Sequence, residues 1–553
     1  MTHLLPFLLL PLVISCSDLP TKSKNDLPPA NSDFLRPPNN DQAPAKILVY
    51  SIGSGFSHVN FMGRVADVLA EAGMDVTTLV SILRDGVGDG TTKSKVLHID
   101  ANEEAFEMWN TKSPGDVGNI FRGASDDVTG IIAMTAHLRD TFALQCKHAL
   151  TKTDLLDQLK KEMYDVVLAE NFDYCGFGLA KVIGAKTVVT VSTSSISDHL
   201  SWITGTPSPF SWMQSSFSGG VDRSISSRLR NLVAFAANYY FNSQKADGAT
   251  AVFRERFGQD FPSVEEIIAN SSLIVTASDP LVDIARPTQR KIVDIGAIGV
   301  RDSKPLDEEY NKLLNLRPRT VILSFGSVAK SVGLPEEYKT AIAEAFSRFP
   351  EVTFLWKYEE PENATHVFGI PNIIVRKWMP QNDLLGDPRI SAFISHGGKT
   401  SLNEVGDKGV PVIMVPLFAD QPRNAAIAKK LGFGFIFEKN DLANADKIEA
   451  ALREILENDK YATAAKRVAA TIRARPFTAK ELLVKHVEFA ARFGNVAALD
   501  QDGLDYPLYI YWNLDIAALA VTIFLSTIAL SLFCLRRLFC SSKTTIPSSK
   551  KLN

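Results

Sequence analysis

A stretch in the C-terminal part of the chain combines residue types that could bind a nucleotide diphosphate. It runs from 378 to 424 and reads WMPQNDLLGDPRISAFISHGGKTSLNEVGDKGVPVIMVPLFADQPRN. Its aromatic ring could stack on a base, and its His-Gly-Gly turn between a strand and a helix lets backbone N–H groups approach phosphate. The Asp-Gln pair near its end could bind hydroxyl groups. This order of residues predicts a nucleotide-diphosphate pocket.

Several of these residues also have purely structural interpretations. Trp378 could be an ordinary core residue. Ser401 and Glu404 fit a helix capping box, in which two side chains and two backbone N–H groups bond reciprocally. Ser327 lies in a Phe-Gly-Ser turn after a predicted strand, where N–H groups and a hydroxyl could bind phosphate, although such a turn alone is an ordinary loop.

A second group of candidate residues lies in the N-terminal half. His58 follows the Gly-Ser-Gly turn at 53–55, where a strand gives way to a helix. An imidazole has a pKa near 6.5 and can accept a proton at neutral pH, although a helix-capping histidine is the structural alternative. A carboxylate that orients the ring would improve such a base. Glu170, at the end of the predicted strand DVVLAE, and Asp173 are the candidates, and the choice between them stays open.

The elements around these residues alternate between apolar strands and amphipathic helices. From Lys46 onward the pattern predicts a parallel sheet covered on both faces, and a second such unit begins at Arg319. We therefore predict an α/β protein with two Rossmann-like doubly wound domains that face a cleft at the carboxyl ends of their strands.

The predicted organisation has eight parts. They are a signal peptide (1–17), a disordered leader (18–45), an N-terminal domain (46–295), an interdomain linker (296–317), a C-terminal domain (318–495), a membrane approach (496–515), a transmembrane helix (516–535) and a cytosolic basic tail (536–553).

Charges around the apolar run 516–535 predict its orientation. Acidic residues precede the run and basic residues follow it, so the positive-inside bias predicts a single-pass type I protein with a lumenal or extracellular bulk. The ending Lys-Lys-Leu-Asn at 550–553 fits a signal for return to the endoplasmic reticulum, and contact with anionic lipid is the alternative. Sequons at Asn270 and Asn363 would be permitted in a lumen.

Composition excludes some classes of function. The formal net charge of −3 and the lack of long basic runs give no electrostatic basis for binding nucleic acid. Cys146 and Cys175 could pair in a lumen, but two cysteines make neither a disulfide framework nor a zinc site. The Asp-Gln-Asp triplet at 500–502 lies far from the nucleotide turn, so no metal is predicted.

The stretch 378–424 closely resembles the signature of the animal UDP-glycosyltransferases, the UDP-glucuronosyl and UDP-glucosyl transferases, and the resemblance extends from Lys46 to the tail. It implies the two-domain GT-B fold, with 46–295 as an N-terminal acceptor-binding domain, 318–495 as a C-terminal UDP-sugar-binding domain and His58 as catalytic base. Glu170 stands where the family has Asp, and Thr400 stands where many members have Asn. The donor-binding residues implied are Ser327, Trp378, Gln381, His396, Gly398, Thr400, Ser401, Glu404, Asp420 and Gln421.

The resemblance implies inverting transfer of glucuronate or glucose from a UDP-sugar to a hydroxyl or similar group of a small lipophilic acceptor. The UDP-sugar would be a co-substrate, so no cofactor is expected, and a detoxifying role in the endoplasmic reticulum membrane follows from the family. A non-catalytic lipid-binding scaffold and, less favoured, a UDP-sugar epimerase remain alternatives. The sequence is compatible with a homo-oligomer and leaves the sugar, the acceptor and the oligomeric state open.

Overall fold

A computed structural model describes residues 43–111, 117–122, 128–501, 503 and 506–540. The predicted signal peptide, nearly all of the leader, and the tail beyond residue 540 with its Lys-Lys-Leu-Asn ending lie outside the described residues. Within them the chain forms two parallel sheets, each covered by helices, and this confirms the predicted fold class.

The first sheet is parallel throughout and, over the residues described, has the strand order β3-β2-β1-β4-β5-β6-β7. Its central strands are almost entirely buried and rich in Val, Ile and Leu because both faces of the sheet are covered. Its strands are β1 Lys46–Gly53, β2 Asp75–Ile82, β3 Lys95–Ile99, β4 Val166–Glu170, β5 Thr187–Ser192, β6 Leu273–Thr276 and β7 Ile292–Asp294.

Helices connect these strands and cover the sheet. They are α1 Phe56–Glu71, α2 Glu103–Thr111, α3 Val117–Arg122, α4 Val128–Ala149, α5 Thr153–Glu162, α6 Cys175–Val182, α7 Asp198–Ile203, α8 Ile225–Phe257 and α9 Val264–Ala269. Cys146 of α4 and Cys175 of α6 form a disulfide, which the sequence had left open.

The second sheet is also parallel, and its order in the described part of the chain is β10-β9-β8-β11-β12-β13. Its strands are β8 Arg319–Ser324, β9 Val352–Lys357, β10 Ile373–Arg376, β11 Ile390–Ser395, β12 Val412–Met414 and β13 Gly434–Ile436. The helices are α10 Glu308–Leu314, α11 Glu336–Ser347, α12 Gln381–Leu385, α13 Lys399–Lys408, α14 Gln421–Leu431, α15 Ala445–Glu457, α16 Asp459–Arg473 and α17 Ala479–Phe493.

Helix α17 returns to the first sheet. Leu483 and Val487 are fully buried in the same apolar cluster as Val49 of β1 and Val189 of β5. The helix follows the second sheet in sequence, within the predicted range 318–495, yet its packing adds it to the core of the N-terminal domain. The two domains are therefore joined both through residues 296–317 and through α17.

Two helices end the described chain, α18 Leu508–Tyr511 and α19 Leu514–Cys540. Within the part of α19 from Leu514 to Phe539, an 18-residue window has a mean hydropathy of 2.4, and the side chains of this part are exposed in the isolated chain. By length and composition it could cross a membrane, and it contains the predicted span 516–535.

Candidate active site

At the carboxyl ends of the strands, the loops after β1 and β5 of the first sheet contact the loops after β10 and β12 of the second sheet. In parallel α/β sheets these ends leave loops free to carry functional side chains, because the strands themselves are buried. The N-terminal domain contributes His58, Glu170 and Thr193 to this region. The C-terminal domain contributes Trp378, and its ring lies 5.7 Å from that of Phe56, the first residue of α1.

His58 lies in the first turn of α1 and is paired with Glu170. The imidazole Nδ1 contacts Oε1 of the Glu170 carboxylate, which is fully buried at the end of β4. Thr193 donates its hydroxyl to the same carboxylate oxygen at 2.7 Å and lies 3.2 Å from the imidazole Nδ1. Because Nδ1 is held by the carboxylate, Nε2 is the nitrogen left to accept a proton.

The structure does not support the helix-capping interpretation of His58. The N-cap of α1 is Gly55, which makes no side-chain capping bond. The imidazole instead stacks on Phe172 with a centroid distance of 4.3 Å. Its side chain keeps 22% of its exposure, so the imidazole is accessible from outside the protein.

Opposing effects set the pKa of His58. Burial lowers it, but the negative charge of Glu170 and the hydrogen bond to that carboxylate outweigh burial, so the pKa is raised above 6.5. The positive charge of Lys245 lowers it slightly, and the charge of Asp420 raises it. The imidazole is therefore a stronger base than an isolated histidine.

Asp173, the other candidate partner, is occupied elsewhere. Its Oδ2 accepts a 2.5 Å hydrogen bond from the hydroxyl of Tyr50, and burial raises its pKa to about 7. Of the two predicted carboxylates, Glu170 is the one that contacts His58. The extra methylene of Glu relative to Asp does not prevent the pairing.

Lys245 lies next to Phe172, whose ring stacks on His58, and it was not singled out from the sequence. It is buried in α8, with its Nζ 4.8 Å from the Phe172 ring centroid and 3.2 Å from the Phe172 carbonyl oxygen, to which it donates. Burial lowers its pKa to about 7. The burial of Lys245 could not be predicted from the sequence, because α8 mixes polar and apolar residues and a single lysine in such a helix is usually exposed.

Trp378 is exposed at the mouth of the cleft rather than buried in a core. It lies between β10 and α12, 60% of the residue is exposed, and Nζ of Lys357 is 5.6 Å from its ring centroid. The same ammonium group donates to the carbonyl of Gly326 at 2.7 Å. Lys357 therefore links the ring predicted to stack on the nucleobase to the turn predicted to bind phosphate. Its place in β9 gave no indication of this role in the sequence.

Gln381, Ser401 and Glu404 form one cluster beside Trp378. The Gln381 amide donates to Glu404 Oε2 at 2.5 Å and to the Ser401 hydroxyl at 3.3 Å. The capping-box alternative is wrong, because α13 begins at Lys399 with Gly398 as N-cap, which places Ser401 inside the helix. Glu404 is buried, and burial raises its pKa to about 7.

His396 forms the floor of the glycine turn. A Cβ on Gly326 would lie 2.8 Å from its ring, and one on Gly398 would lie 2.7 Å away, so both positions require glycine. Burial lowers the pKa of His396 to about 4, which keeps the imidazole neutral at pH 7. Its Nδ1 makes no hydrogen bond to the described residues. A neutral ring can still donate one N–H to a phosphate oxygen.

The other turn residues lie around this ring. Ser327 follows Gly326, whose φ of +89° suits glycine alone. Gly398 precedes α13, and Thr400 lies exposed in its first turn. The structure therefore brings Ser327, Gly398 and Thr400 to one edge, where free N–H groups of a helix attract anions.

Asp420 and Gln421 start α14 at the domain boundary. Asp420 Oδ2 accepts hydrogen bonds from Ser194 of the N-terminal domain at 2.6 Å and from Asn424 at 3.1 Å. Gln421 Oε1 accepts from the backbone N–H of Leu417 at 2.8 Å, so this oxygen shapes its own loop.

A buried ion cluster fastens the two domains beside these residues, and the sequence did not indicate it. Asp283 pairs with Arg423 at 2.6 Å and with Lys399 at 3.2 Å. Burial would raise the pKa of Asp283, but the two cations hold it well below its usual range. Arg423 also donates to the hydroxyl of Ser195 at 3.0 Å.

Both the sequence and the fold of this chain are similar to those of known proteins. A family model described as “UDP-glucoronosyl and UDP-glucosyl transferase” matches residues 45–547. The “Putative UDP-glucuronosyltransferase ugt-47” of Caenorhabditis briggsae is 30% identical over 482 residues, which are 85% of this chain and 88% of that protein. The “UDP-glucuronosyltransferase 3A1” of Bos taurus is 28% identical, over 87% of this chain and 91% of its own.

Solved structures show the same architecture at lower identity. The glycotransferase of kitacinnamycin has a TM-score of 0.56 at 15% identity and covers 82% of this chain and 100% of its own. The glycosyltransferase VinC in complex with DTDP has a TM-score of 0.54 at 15% identity, with coverages of 81% and 100%.

The two parallel sheets have the fold of these solved glycosyltransferases, the GT-B type. Because the family model spans most of the chain, the protein belongs to the UDP-glucuronosyl and UDP-glucosyl transferase family and is a UDP-glycosyltransferase.

Proposed function

We propose that the protein transfers glucuronate or glucose from a UDP-sugar to a hydroxyl or similar group of a small lipophilic acceptor, with inversion at the anomeric carbon. The observation that carries this proposal is the His58–Glu170 pair, held in the cleft that also exposes Trp378. Base and donor-binding residues come from different domains and meet where their strands end.

The proposed reaction is a direct displacement. Nε2 of His58 takes the proton of the acceptor hydroxyl. The acceptor oxygen then attacks the anomeric carbon from the face opposite UDP. The bond from that carbon to the UDP oxygen breaks, and UDP leaves with the electron pair. Glu170 stabilises the imidazolium that forms, so the base gains its proton without leaving an unpaired charge.

The nucleotide would lie along the C-terminal domain. Uracil would stack on Trp378, the ribose hydroxyls would reach Gln381 and Glu404, and the diphosphate would lie over His396 and the N-terminus of α13. The free backbone N–H groups of α13 and a neutral imidazole donor would stabilise the leaving diphosphate. The sugar hydroxyls would reach Asp420 and the amide nitrogen of Gln421.

An apolar cluster beside His58 supports a lipophilic acceptor. The ring of Phe172, which stacks on the imidazole, also contacts Phe142 at 5.2 Å between centroids. Trp109, Phe217 and other apolar side chains around this cluster are only partly buried. Apolar walls with one polar reacting group are typical of small-molecule sites.

The membrane and compartment are part of the same proposal. Helix α19 would anchor the chain in the endoplasmic reticulum membrane as a single-pass type I protein, with both sheets in the lumen. The Cys146–Cys175 disulfide supports an oxidising compartment for these domains. The exposed Asn270 would carry a glycan in that orientation.

We further propose that neither metal nor cofactor takes part, with the UDP-sugar acting as co-substrate. Among the described residues, no three His, Cys, Asp or Glu side chains are grouped so as to hold a metal ion. The scheme predicts turnover that persists in excess EDTA, and loss of turnover on chelation would contradict it. Homo-oligomerisation stays a separate question, which sizing of the detergent-solubilised protein addresses.

The test is a two-donor assay on microsomes that contain the full chain. UDP-glucose and UDP-glucuronate are each offered with a panel of hydrophobic phenols, alcohols and acids, and the products are examined by mass spectrometry and proton NMR. We expect one donor to yield a β-glycoside from an α-linked sugar. An α-glycoside would contradict inversion, sugar interconversion without acceptor would indicate an epimerase, and absence of UDP release would indicate a scaffold.

A further inference from the structure

Three consecutive hydroxyl residues follow β5 at the domain boundary. This segment, Thr193-Ser194-Ser195, is called here the hydroxyl segment. Each of its side chains bonds to a different group, and two of these groups belong to or contact the opposite domain. The segment therefore connects the His58–Glu170 pair with the donor-binding domain over a length of three residues.

Thr193 forms the first of these connections. Its hydroxyl donates to Glu170 Oε1 at 2.7 Å, the oxygen that also contacts His58. A buried carboxylate has several rotamers of similar energy unless hydrogen bonds select one. The Thr193 bond holds Glu170 in the rotamer that reaches the imidazole.

Ser194 forms the second connection, across the cleft. Its hydroxyl donates to Asp420 Oδ2 at 2.6 Å, while its carbonyl oxygen accepts from the N–H of Ala277 at 3.1 Å. The carbonyl of Ala277 in turn accepts from Asn403 of α13 at 2.9 Å. Ser194 is thus fixed to the C-terminal domain through its side chain, and its backbone is held by a strand end that α13 also contacts.

Ser195 forms the third connection. It donates to Asp283 at 2.8 Å and accepts from Arg423 at 3.0 Å, inside the buried ion cluster. Buried ion pairs hold their neighbours in one geometry because any displacement leaves a charge without its partner. The end of the segment is therefore the least free to move.

We propose that the hydroxyl segment positions the base, so that His58 and Glu170 are held in register with the donor-binding domain. Thr193 acts as a positioning residue for Glu170, and Ser194 transmits the position of the C-terminal domain to the same loop. The proposal rests on the proposed role of His58 as base. It assigns to these residues no contact with substrate.

The first test compares Thr193→Val with Thr193→Ser in the full-length protein. Valine keeps the shape and removes the hydroxyl, so we expect kcat to fall about tenfold, the effect of losing one hydrogen bond to a charged group. Serine restores the hydroxyl and is expected to restore most of kcat. The dissociation constant for UDP should stay within about twofold of wild type in both variants, because Thr193 lies outside the nucleotide half of the cleft.

The second test adds Ser194→Ala, alone and combined with Thr193→Val. If both residues act through one loop, Ser194→Ala lowers kcat without weakening UDP binding, and the double variant is less impaired than the product of the single effects. Should Thr193→Val fail to fold, the kcat of Ser194→Ala alone decides the proposal.

Three results would overturn the proposal. These are a wild-type kcat in Thr193→Val or Ser194→Ala, a serine variant no better than the valine variant, and strictly multiplicative effects in the double variant. If the unchanged kcat of Ser194→Ala came with a lower donor KM, Ser194 would only occupy Asp420 until a sugar displaces it. His58→Ala separates the two proposals: if it keeps turnover, the proposed base is wrong, whatever Thr193 does.

Discussion

His58 and Glu170 are 112 residues apart in the chain, yet the imidazole Nδ1 contacts a carboxylate oxygen at the end of a buried strand. The contact exists because β1 and β4 are neighbours in the parallel sheet, so the turn after one strand lies beside the last residue of the other. The pairing raises the pKa of His58 against the opposing effect of burial.

This pairing predicts the pH dependence of turnover. His58 must be neutral to accept a proton, so kcat/KM for the acceptor should fall as the pH drops through a value above 6.5. In Glu170→Gln the charge that raises the pKa is gone, and the midpoint should move to lower pH while kcat falls.

The matched control is Asp89→Asn, which alters an exposed pair with His98. It should leave both the midpoint and kcat unchanged. A midpoint that stays in place in Glu170→Gln would show that another group governs the profile.

Replacement of Trp378 tests the proposed binding site for uracil. If uracil stacks on the exposed ring, Trp378→Ala should weaken UDP binding by about 1–3 kcal/mol, or roughly 5- to 150-fold, measured by calorimetry. Trp212, which is similarly exposed in the N-terminal domain, supplies the control Trp212→Ala. Equal UDP affinity in both variants would contradict stacking.

The ribose site has its own pH signature. Burial raises the pKa of Glu404 to about 7, so its carboxylate is mostly protonated at pH 6 and mostly ionised at pH 8. An ionised carboxylate accepts two hydroxyl hydrogens, so uridine, which carries no phosphate to titrate, should bind about tenfold more tightly at pH 8 than at pH 6. Glu404→Gln should remove this dependence, and a variant that retained it would exclude Glu404 as the ribose ligand.

Sequence reasoning predicted the parts of the site that are local. The apolar strands, the glycine turns and the helix after His396 follow from patterns within a few residues, and the structure has them in the predicted order. The choice between Glu170 and Asp173 was not local, since it depends on the path of the loop after β4. Asp173 turns instead toward Tyr50.

The missed features share a physical cause. Thr193 and Arg423 act through partners from distant strands or from the other domain, and no spacing rule relates such residues. The capping-box alternative failed because α13 starts three residues earlier than Ser401 would require as N-cap, at a point where glycine supplies the close approach.

The ion cluster between the domains predicts a large loss of stability on Asp283→Asn. Removing the carboxylate leaves Arg423 and Lys399 buried without their counter-charge, which should lower the free energy of unfolding by about 3–5 kcal/mol. Because its pKa is held low, Asp283 should contribute its stabilisation at every pH above the usual range of Asp and lose it only in strong acid.

The control for this variant is Glu309→Gln, which breaks an exposed pair with Arg376 and should cost no more than about 1 kcal/mol. Thermal unfolding of the two variants, followed by intrinsic fluorescence in detergent, gives the comparison. Equal melting temperatures would show that the cluster does not hold the domains together.

The most direct test of the central claim is turnover by His58→Ala with UDP binding measured on the same preparation. The account predicts that glycoside formation is lost, UDP binds as in the wild type, and His98→Ala, whose side chain is exposed and paired with Asp89, stays fully active. Glycoside formation by His58→Ala at a rate near that of the wild type would contradict the account.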